Sequence, residues 1–331
     1  MNMAERMKHF NVPGVSVTHF ADNTVQRSKH FGVLEKGTGN MVNNNSIFHA
    51  CSISKMITAL CVLRLVQDGV LDLYKDVNEY LSSWKISESQ FTNNTKITLA
   101  NLLAHQAGFY DDGEDFSLET ARILYVPETN CEYSDIGYRV ISQVLLDALG
   151  ETVPQIAARL IFEPLGLKRA FFWEPGKDSY DDISMADCAV GHDNSGNIVK
   201  EIRMVYPNVE GAGLWITSTE LAHIVIDLVK SYHNQGGIVL NHETARLMLT
   251  PYGCVDDIAL GVFLDKDEKG RPYFFSQGWG IGMQCKLRAY YEDQSQGGIV
   301  VMTNSEPGME QDAALIGEII KNTALSYSQG G

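Results

Sequence analysis

Apolar and polar residues alternate at the beginning of the chain and again near its end. Residues 14–20 (GVSVTHF) alternate, residues 21–24 (ADNT) can turn, and residues 25–32 (VQRSKHFG) return, which predicts a β-hairpin. Turn residues also separate four predicted C-terminal strands, LGVFLD, YFFSQGW, CKLRAYY and GGIVVMTN. Short turns between consecutive strands are typical of an antiparallel sheet.

Between these strands the pattern is mainly helical. Residues 52–68 are a long, largely apolar run that ends at Gly69, a common helix terminator. Further helices are predicted there for the stretches TLANLLAHQAG, SDIGYRVISQVLLDALG, VPQIAARLIFEPLG and TSTELAHIVIDLVKSYHNQG, and a final helix, EQDAALIGEIIKNTAL, is predicted after the last strand. Residues 175–205 are polar and predicted to form a loop.

These elements predict an α/β (α+β) fold in which an antiparallel sheet is flanked by N- and C-terminal helices and carries an inserted, mostly helical lobe. We expect residues 1–70 and 205–331 to form the sheet lobe and residues 71–204 the helical lobe. The beginning of the first long helix then falls between the lobes, where pockets are common. The sequence therefore places the expected active site at that junction.

The composition and net charge of the chain argue against two classes of binding partner. The chain has 331 residues, with 26 basic and 41 acidic residues and a net charge of -15. Nucleic acids and anionic membranes need a basic face, so we expect neither as a partner. The N-terminus carries no signal-like apolar stretch and no run is long enough to span a bilayer, so a cytoplasmic location is expected. The oligomeric state cannot be read from the sequence.

Metal and disulfide chemistry have little support in the sequence. The six cysteines are scattered without a CxxC pair, so we expect them to be reduced and buried. The nine histidines show no metal-binding spacing such as HExxH. No metal and no cofactor are therefore predicted.

A lysine inside the apolar helix is the most informative single position. Ser52 and Lys55 are three residues apart, so a helix places them on one face, one turn apart. Ser52 would lie at the helix N-terminus, where free N–H groups favour developing negative charge. A serine needs a base to become a good nucleophile, and burial lowers the pKa of a lysine until it can serve as that base.

The spacing of Ser52 and Lys55 also has an explanation without catalysis. The spacing S-x-x-K arises often by chance, and a lysine on a helix usually extends its ammonium group to water. Cys51 adjoins Ser52, but it lacks a partner one helical turn away and is better explained as a small buried residue.

Six blocks, in order along most of the chain, resemble the superfamily of class C β-lactamases, penicillin-binding proteins and serine esterases. The first, CSISKMITALCVLRLVQDGVLDLYKDVNEYL, resembles its S-x-x-K block. The others are ITLANLLAHQAGF, VPETNCEYSDIGYRVISQVLLDALG, IFEPLGLKRAFF, GAGLWITSTELAHIV and GGIVVMTNSE. The resemblance implies the β-lactamase/transpeptidase-like fold.

The resemblance also implies roles for individual residues. Ser52 matches the family nucleophile, Lys55 its partner base and Tyr133 the tyrosine that shares proton transfer. Asp135 stands where the family most often has Asn. An ionised Asp can only accept hydrogen bonds, whereas Asn can also donate them.

The family's third motif, H-x-G or K-T-G, aligns with Ser276, Gln277 and Gly278. Ser276, or Gln277 after a shift by one residue, therefore replaces the usual imidazole or ammonium group. Gly278 is expected to allow the close approach of substrate backbone. The backbone N–H groups of Trp279 and Ser52 are expected to form the oxyanion hole, and the Trp279 ring either lines the acyl pocket or belongs to the core.

These matches predict a serine hydrolase that works through a covalent acyl-enzyme on a small-molecule acyl substrate. The substrate could be an ester, a small amide, a peptide with a D-residue or a β-lactam. The missing charged group of the third motif makes esterase activity the favoured expectation. The alternative is a non-catalytic or slowly acylated penicillin- or peptide-binding sensor on the same fold, because Asp135 and Ser276 both depart from the family pattern.

Overall fold

A six-stranded antiparallel sheet forms the framework on which the site is built. In the computed structural model, residues 1–111, 117–174, 176–177, 180, 183–199, 208–292 and 297–327 are described. The strands are β1 (Gly14–Ala21), β2 (Thr24–Gly32), β8 (Phe263–Lys266), β9 (Pro272–Gly280), β10 (Met283–Tyr290) and β11 (Gly297–Thr303). Their order in the sheet is β2-β1-β11-β10-β9-β8. Both predicted strand groups are thus confirmed, and they belong to one sheet.

Helices cover both faces of this sheet. The helices α1 (Met3–His9) and α9 (Leu315–Tyr327) share an apolar cluster with Val15 and Val17. Helix α7 (Ser218–Tyr232) lies on the opposite face, where the Ser218 hydroxyl is 2.7 Å from that of Ser16. This arrangement follows from strand geometry, because successive side chains of β1 point to opposite faces. The predicted α/β architecture is confirmed.

The apolar run that begins near Ser52 forms the buried central helix α2 (Ser54–Gln67). Eleven of its fourteen residues are buried, which explains why it is apolar nearly all round. A 3₁₀ turn, Cys51–Ile53, precedes it, so Ser52 lies just before the α-helix proper.

Smaller elements surround α2. They are α3 (Leu99–Leu103), α4 (Asp135–Leu149), α5 (Val153–Ala157), α6 (Val209–Ala212), α8 (His242–Met248), the small sheet of β3 (Phe48–His49), β6 (Ala170–Phe172) and β7 (Leu214–Ile216), and the pair β4 (Phe109–Tyr110) and β5 (Arg122–Ile123). None of the helices in the described ranges combines the length and apolarity needed to cross a membrane.

The structure differs from the sequence predictions in detail. The helix predicted for residues 153–166 is α5 followed by a π-helical turn, Ala158–Phe162. Helix α9 begins at Leu315 rather than near Glu310, and α8 has no counterpart among the predicted helices. Much of the predicted loop 175–205, and the predicted lobe boundary at residues 204–205, lie outside the described residues. The division into two lobes therefore stays a prediction.

Candidate active site

Ser52 lies in a tight turn that exposes its side chain at the beginning of α2. The preceding residue, Cys51, has a φ of 48°, in the left-handed region that residues other than glycine seldom adopt. Such backbone persists where surrounding contacts hold it, and it is common at functional sites. Ser52 is half-buried, whereas its neighbours Cys51 and Ile53 are fully buried. The turn thus places the hydroxyl of Ser52 at the edge of the core.

Lys55 is buried and its ammonium group has three acceptors around it. Its side chain is only 4% exposed. Nζ donates to Asp135 Oδ1 at 2.5 Å, to the Gly211 carbonyl at 3.1 Å and to Ser52 Oγ at 3.5 Å. An ammonium group has three N–H donors, so this environment matches the protonated lysine.

The expectation that burial lowers the pKa of Lys55 is wrong. Burial does act to lower it, but the neighbouring Tyr133 and Asp135, with their hydrogen bonds, outweigh that effect and raise the pKa of Lys55 above its ordinary value. A lysine surrounded only by apolar side chains would lack the ion pair that Lys55 forms with Asp135. Lys55 therefore rests as an ammonium group at neutral pH.

Asp135 is held in position by the beginning of helix α4. Asn208 Nδ2 donates to Asp135 Oδ1 at 3.1 Å. The carboxylate of Asp111 accepts from the Asp135 backbone N–H, from Ser134 Oγ at 2.9 Å and from the Ile136 N–H at 3.3 Å. Asp111 thus caps the N-terminus of α4, where a negative charge is stabilising. Burial raises the pKa of Asp111, although these hydrogen bonds act in the opposite direction.

Tyr133 lies over Lys55 and against His105. The Lys55 Nζ is 4.7 Å from the centre of the Tyr133 ring, and the His105 ring centre is 4.5 Å from that of Tyr133. Tyr133 is 42% exposed overall. Its hydroxyl end, however, is close enough to Ser52 and Lys55 for both to act on its pKa as hydrogen-bond partners. Burial of that end raises the pKa of Tyr133 against the opposing effect of Lys55, so the phenol rests protonated.

His105 supports the turn that carries Tyr133. Its Nδ1 accepts the backbone N–H of Ser134 at 3.1 Å. Burial and then the positive charge of Lys55 lower the pKa of His105 to about 3. The imidazole is therefore neutral, which leaves Nδ1 free of a proton and able to accept this bond.

Strand β9 supplies the second side of the site, next to the Ser52 turn. Ser276 and Gln277 lie in this strand, and both residues line the same small cavity as Ser52. Trp279 is 40% exposed, so its assignment to the core is wrong, and the described contacts leave its role as a pocket wall untested. The expected oxyanion hole at the N–H groups of Ser52 and Trp279 also stays a prediction.

Gly278 is required for a contact within the protein. A Cβ at this position would lie 2.3 Å from the Ala50 carbonyl oxygen and 2.8 Å from the Cβ of Cys51. The turn that carries Ser52 makes this close approach, and the expected approach of substrate backbone stays a prediction. Any larger residue at position 278 would displace that turn.

The cavity beside Ser52 brings five of the sequence-predicted residues together. It has a volume of about 10 Å³, room for roughly one water molecule. Apolar side chains, including Ile258, Val262 and Phe263, close one side of it. The predicted residues at the cavity are Ser52, Lys55, Tyr133, Ser276 and Gln277. The space holds only a group of about the size of a water molecule, so larger parts of a substrate must extend outward.

Sequence reasoning missed the residues that support this constellation. Asp111, His105, Asn208 and Gly211 hold or contact the charged groups, yet none was singled out. His105 and Gly211 lie within two of the blocks that carried the family resemblance, so a signal for them was present. Asp111 and Asn208 lie outside those blocks.

Comparison with known proteins identifies the family. A family model described as Beta-lactamase matches residues 2–321, so the chain belongs to the beta-lactamase family. It is 28% identical over 183 residues to penicillin-binding protein 4 of Amycolatopsis lactamdurans, covering 50% of this chain and 46% of that protein. It is 25% identical over 167 residues to the esterase EstB of Burkholderia gladioli, covering 43% of this chain and 42% of that protein.

A solved structure supports the fold assignment. The D-alanine carboxypeptidase AmpC from Burkholderia cenocepacia superposes with a TM-score of 0.73 at 20% identity, covering 92% of each chain. At this identity the likeness establishes the fold alone. The matches to the two curated relatives above span less than half the length of each. Hydrolases are prominent among the relatives, and the family membership supports a hydrolase.

Proposed function

We propose that the protein is a serine hydrolase that forms an acyl-enzyme on Ser52. The observation that carries this proposal is the convergence of Ser52, Lys55 and Tyr133 on one cavity, with Ser52 Oγ 3.5 Å from Lys55 Nζ. A nucleophile within reach of proton-transfer groups is the arrangement that covalent catalysis requires.

In the proposed reaction, Ser52 Oγ attacks the substrate carbonyl carbon while its proton passes to Lys55 or Tyr133. The backbone N–H groups of Ser52 and Trp279 stabilise the oxyanion. The same proton then leaves with the alcohol or amine of the substrate. Water hydrolyses the acyl-enzyme in a second step and restores Ser52.

The resting charges impose a condition on the first step. Lys55 is an ammonium group in contact with Asp135, and the Tyr133 phenol is protonated. Only the fraction of enzyme in which this pair has lost one proton can accept the proton of Ser52. Acylation is therefore proposed to accelerate as the pH rises.

The substrate class follows from the groups that face the cavity. Ser276 and Gln277 carry no charge, so this strand offers no cation to a carboxylate. An uncharged ester or small amide suits these groups better than a β-lactam or a peptide with a free C-terminal carboxylate. The esterase among the relatives is consistent with this preference.

A second candidate function is favoured by one specific observation. The ion pair between Lys55 and Asp135 at 2.5 Å keeps the base protonated, which would suit a slowly acylated binding or sensor protein. In that case a penicillin or peptide would acylate Ser52 once without efficient turnover.

Steady-state hydrolysis of a chromogenic short-chain ester distinguishes the two candidates. The hydrolase proposal expects sustained turnover that Ser52→Ala abolishes, whereas Ser195→Ala, at an exposed serine, retains it. A single stoichiometric burst followed by no turnover would favour the sensor. Equal turnover by Ser52→Ala and the unmodified protein would refute both.

A further inference from the structure

Two buried cysteines and a histidine form a cluster directly behind Ser52. Cys51 is 1% exposed and Cys285 is 0% exposed. Cys285 lies in β10 opposite Gly278 of β9. A Cβ on Gly278 would lie 2.7 Å from Cys285 Sγ and 2.8 Å from Cys51 Cβ, so both side chains pack onto the same point. Because Gly278 has no side chain, there is room for both cysteine side chains to approach this point.

The hydrogen bonds of this cluster make the two sulfur atoms chemically different. Cys51 Sγ is 3.3 Å from His49 Nδ1. His49 Nε2 contacts the Ala212 carbonyl, which requires a proton on Nε2 and directs Nδ1 at the thiol. Cys285 Sγ instead donates to the Ala50 carbonyl at 2.9 Å. Cys51 is therefore paired with a base, whereas Cys285 is held as a thiol.

The acidities of the two thiols agree with this geometry. Burial opposes ionisation of Cys51, but the adjacent Cys285 thiol and then the neighbouring His49 lower the pKa of Cys51 to about 5. Burial, with the effect of Cys51, raises the pKa of Cys285 well above its ordinary value. A thiol of lowered pKa next to a second thiol is the pairing of an attacking cysteine with a resolving cysteine.

We propose that Cys51 and Cys285 are a redox modification site at which a peroxide produces a disulfide that lowers the reactivity of Ser52. The Cys51 thiolate attacks the peroxide, the O–O bond breaks, and the leaving oxygen takes the proton that His49 holds on Nδ1. For hydrogen peroxide the products are Cys51 sulfenic acid and water. The Cys285 sulfur then displaces hydroxide from the sulfenic sulfur, and its thiol proton makes the second water molecule.

The disulfide would act on Ser52 through the backbone. Cys51 immediately precedes Ser52 in the 3₁₀ turn, and its φ of 48° leaves the turn little freedom to adjust. A disulfide fixes the distance between the two Cβ atoms at about 4 Å, and it removes the thiol hydrogen bond from Cys285 to the Ala50 carbonyl, so the turn that carries Ser52 is held differently. A displacement of about 1 Å at a nucleophile can reduce its rate roughly 100-fold.

The test uses the full-length protein exposed to increasing hydrogen peroxide. Remaining thiols are blocked, and peptides are mapped without reduction. We expect a peptide joining Cys51 to Cys285, a roughly 100-fold slower reaction of Ser52 with a fluorophosphonate, and recovery of both changes after a thiol reductant is added.

Two variants control this experiment. Cys285→Ser keeps a hydroxyl donor toward Ala50 and should give no cross-linked peptide. Cys254→Ser removes an exposed thiol elsewhere and should leave both the cross-link and the slowed reaction intact.

Several results would overturn the proposal. The first is complete oxidation of Cys254 without any peptide joining Cys51 to Cys285. The second is a cross-link that leaves the fluorophosphonate reaction unchanged, which would refute the effect on Ser52. Because the peptide map does not depend on hydrolysis, it tests the cysteine pair even if the proposed hydrolase function fails.

Discussion

The two sides of the cavity at Ser52 are built in opposite ways. On the helix side, Lys55 and Asp135 form a buried ion pair. Lys55 also donates a hydrogen bond to the Gly211 carbonyl, and Asp135 accepts one from Asn208. On the strand side, Ser276 and Gln277 offer uncharged polar groups. The helix side is therefore suited to controlling where the proton of Ser52 goes, and the strand side to selecting the substrate.

The two departures from the family pattern, Asp135 and Ser276, therefore affect two different properties of the enzyme. Asp135 in place of Asn adds a negative charge next to the base, so it acts on the pH dependence of acylation. Ser276 in place of His or Lys removes a positive charge from the substrate side, so it acts on the preference among substrates. The predictions below test these two assignments separately.

Replacing Lys55 by alanine should have the largest effect on the helix side. We expect Lys55→Ala to reduce the acylation rate at least about 100-fold, because it removes a positioned proton-transfer group. The measurement is the initial rate of Ser52 acylation by an activated ester. Lys75→Ala is the control, since Lys75 forms an exposed ion pair with Glu79 and should react normally. An ordinary rate in Lys55→Ala would remove the lysine from the mechanism.

Replacing Tyr133 by phenylalanine should reduce acylation by about 100-fold, the lower end of the range for a positioned acid or base. The ring, and with it the packing on His105, is retained, so the change reports on the hydroxyl group alone. Tyr110→Phe, at an exposed tyrosine, serves as the control. If the rates of the two variants are equal, the Tyr133 hydroxyl takes no part in proton transfer.

Replacing Asp135 by asparagine should move the pH profile. Asp135 raises the pKa of Lys55, so its removal lowers that pKa and increases the fraction of neutral amine at a given pH. The rising limb of acylation should shift to lower pH by at least about one unit, which is roughly a tenfold faster reaction at neutral pH. Initial acylation rates across the pH range in which the protein stays folded provide the measurement.

Asp68→Asn is the matched control for this profile, because Asp68 forms an ion pair with Arg64 at the surface. Its profile should superimpose on that of the unmodified protein. If the pH profile of Asp135→Asn also superimposes on that of the unmodified protein, the ion pair between Lys55 and Asp135 does not control the protonation of Lys55 during acylation.

Introducing a histidine on the strand side should have the smallest effect. We expect Ser276→His to improve kcat/KM for a penicillin up to about fivefold, the scale of a partly screened ionic contact, with little change for a neutral ester. Gln277→His tests the alternative alignment by one residue. A gain specific to Gln277→His would show that position 277 faces the substrate carboxylate, and a gain in neither variant would contradict this account of the strand side.

The main elements could be predicted because their signals are local. The apolar run ending at Gly69 gave α2, and the helix ending at Gly150 gave α4. The strands β9, β10 and β11 were marked by the turn residues between them. The π-helical turn Ala158–Phe162 carries no such signal, because packing rather than propensity determines its hydrogen bonds.

The candidate site could be predicted only in part, because its electrostatics come from contacts distant in sequence. The pairing of Ser52 with Lys55 follows from helix spacing, but the partners of Lys55 are 80 and 156 residues away. Asp135 contacts Lys55 directly, whereas Asp111 and Ser134 cap helix α4. The expectation of buried cysteines is confirmed for Cys51, Cys61, Cys188 and Cys285, whereas Cys131 is half-buried and Cys254 is exposed, so the expectation is wrong for Cys254.

The central claim is that Ser52 becomes covalently acylated. The most direct measurement is the intact mass of the protein, followed by peptide mapping, after separate exposure to a fluorophosphonate, an activated ester and a penicillin. The account predicts one fluorophosphonate group on Ser52, none on Ser52→Ala, and faster acylation by the ester than by the penicillin. A fluorophosphonate group on another serine, or equal labelling of Ser52→Ala, would contradict it.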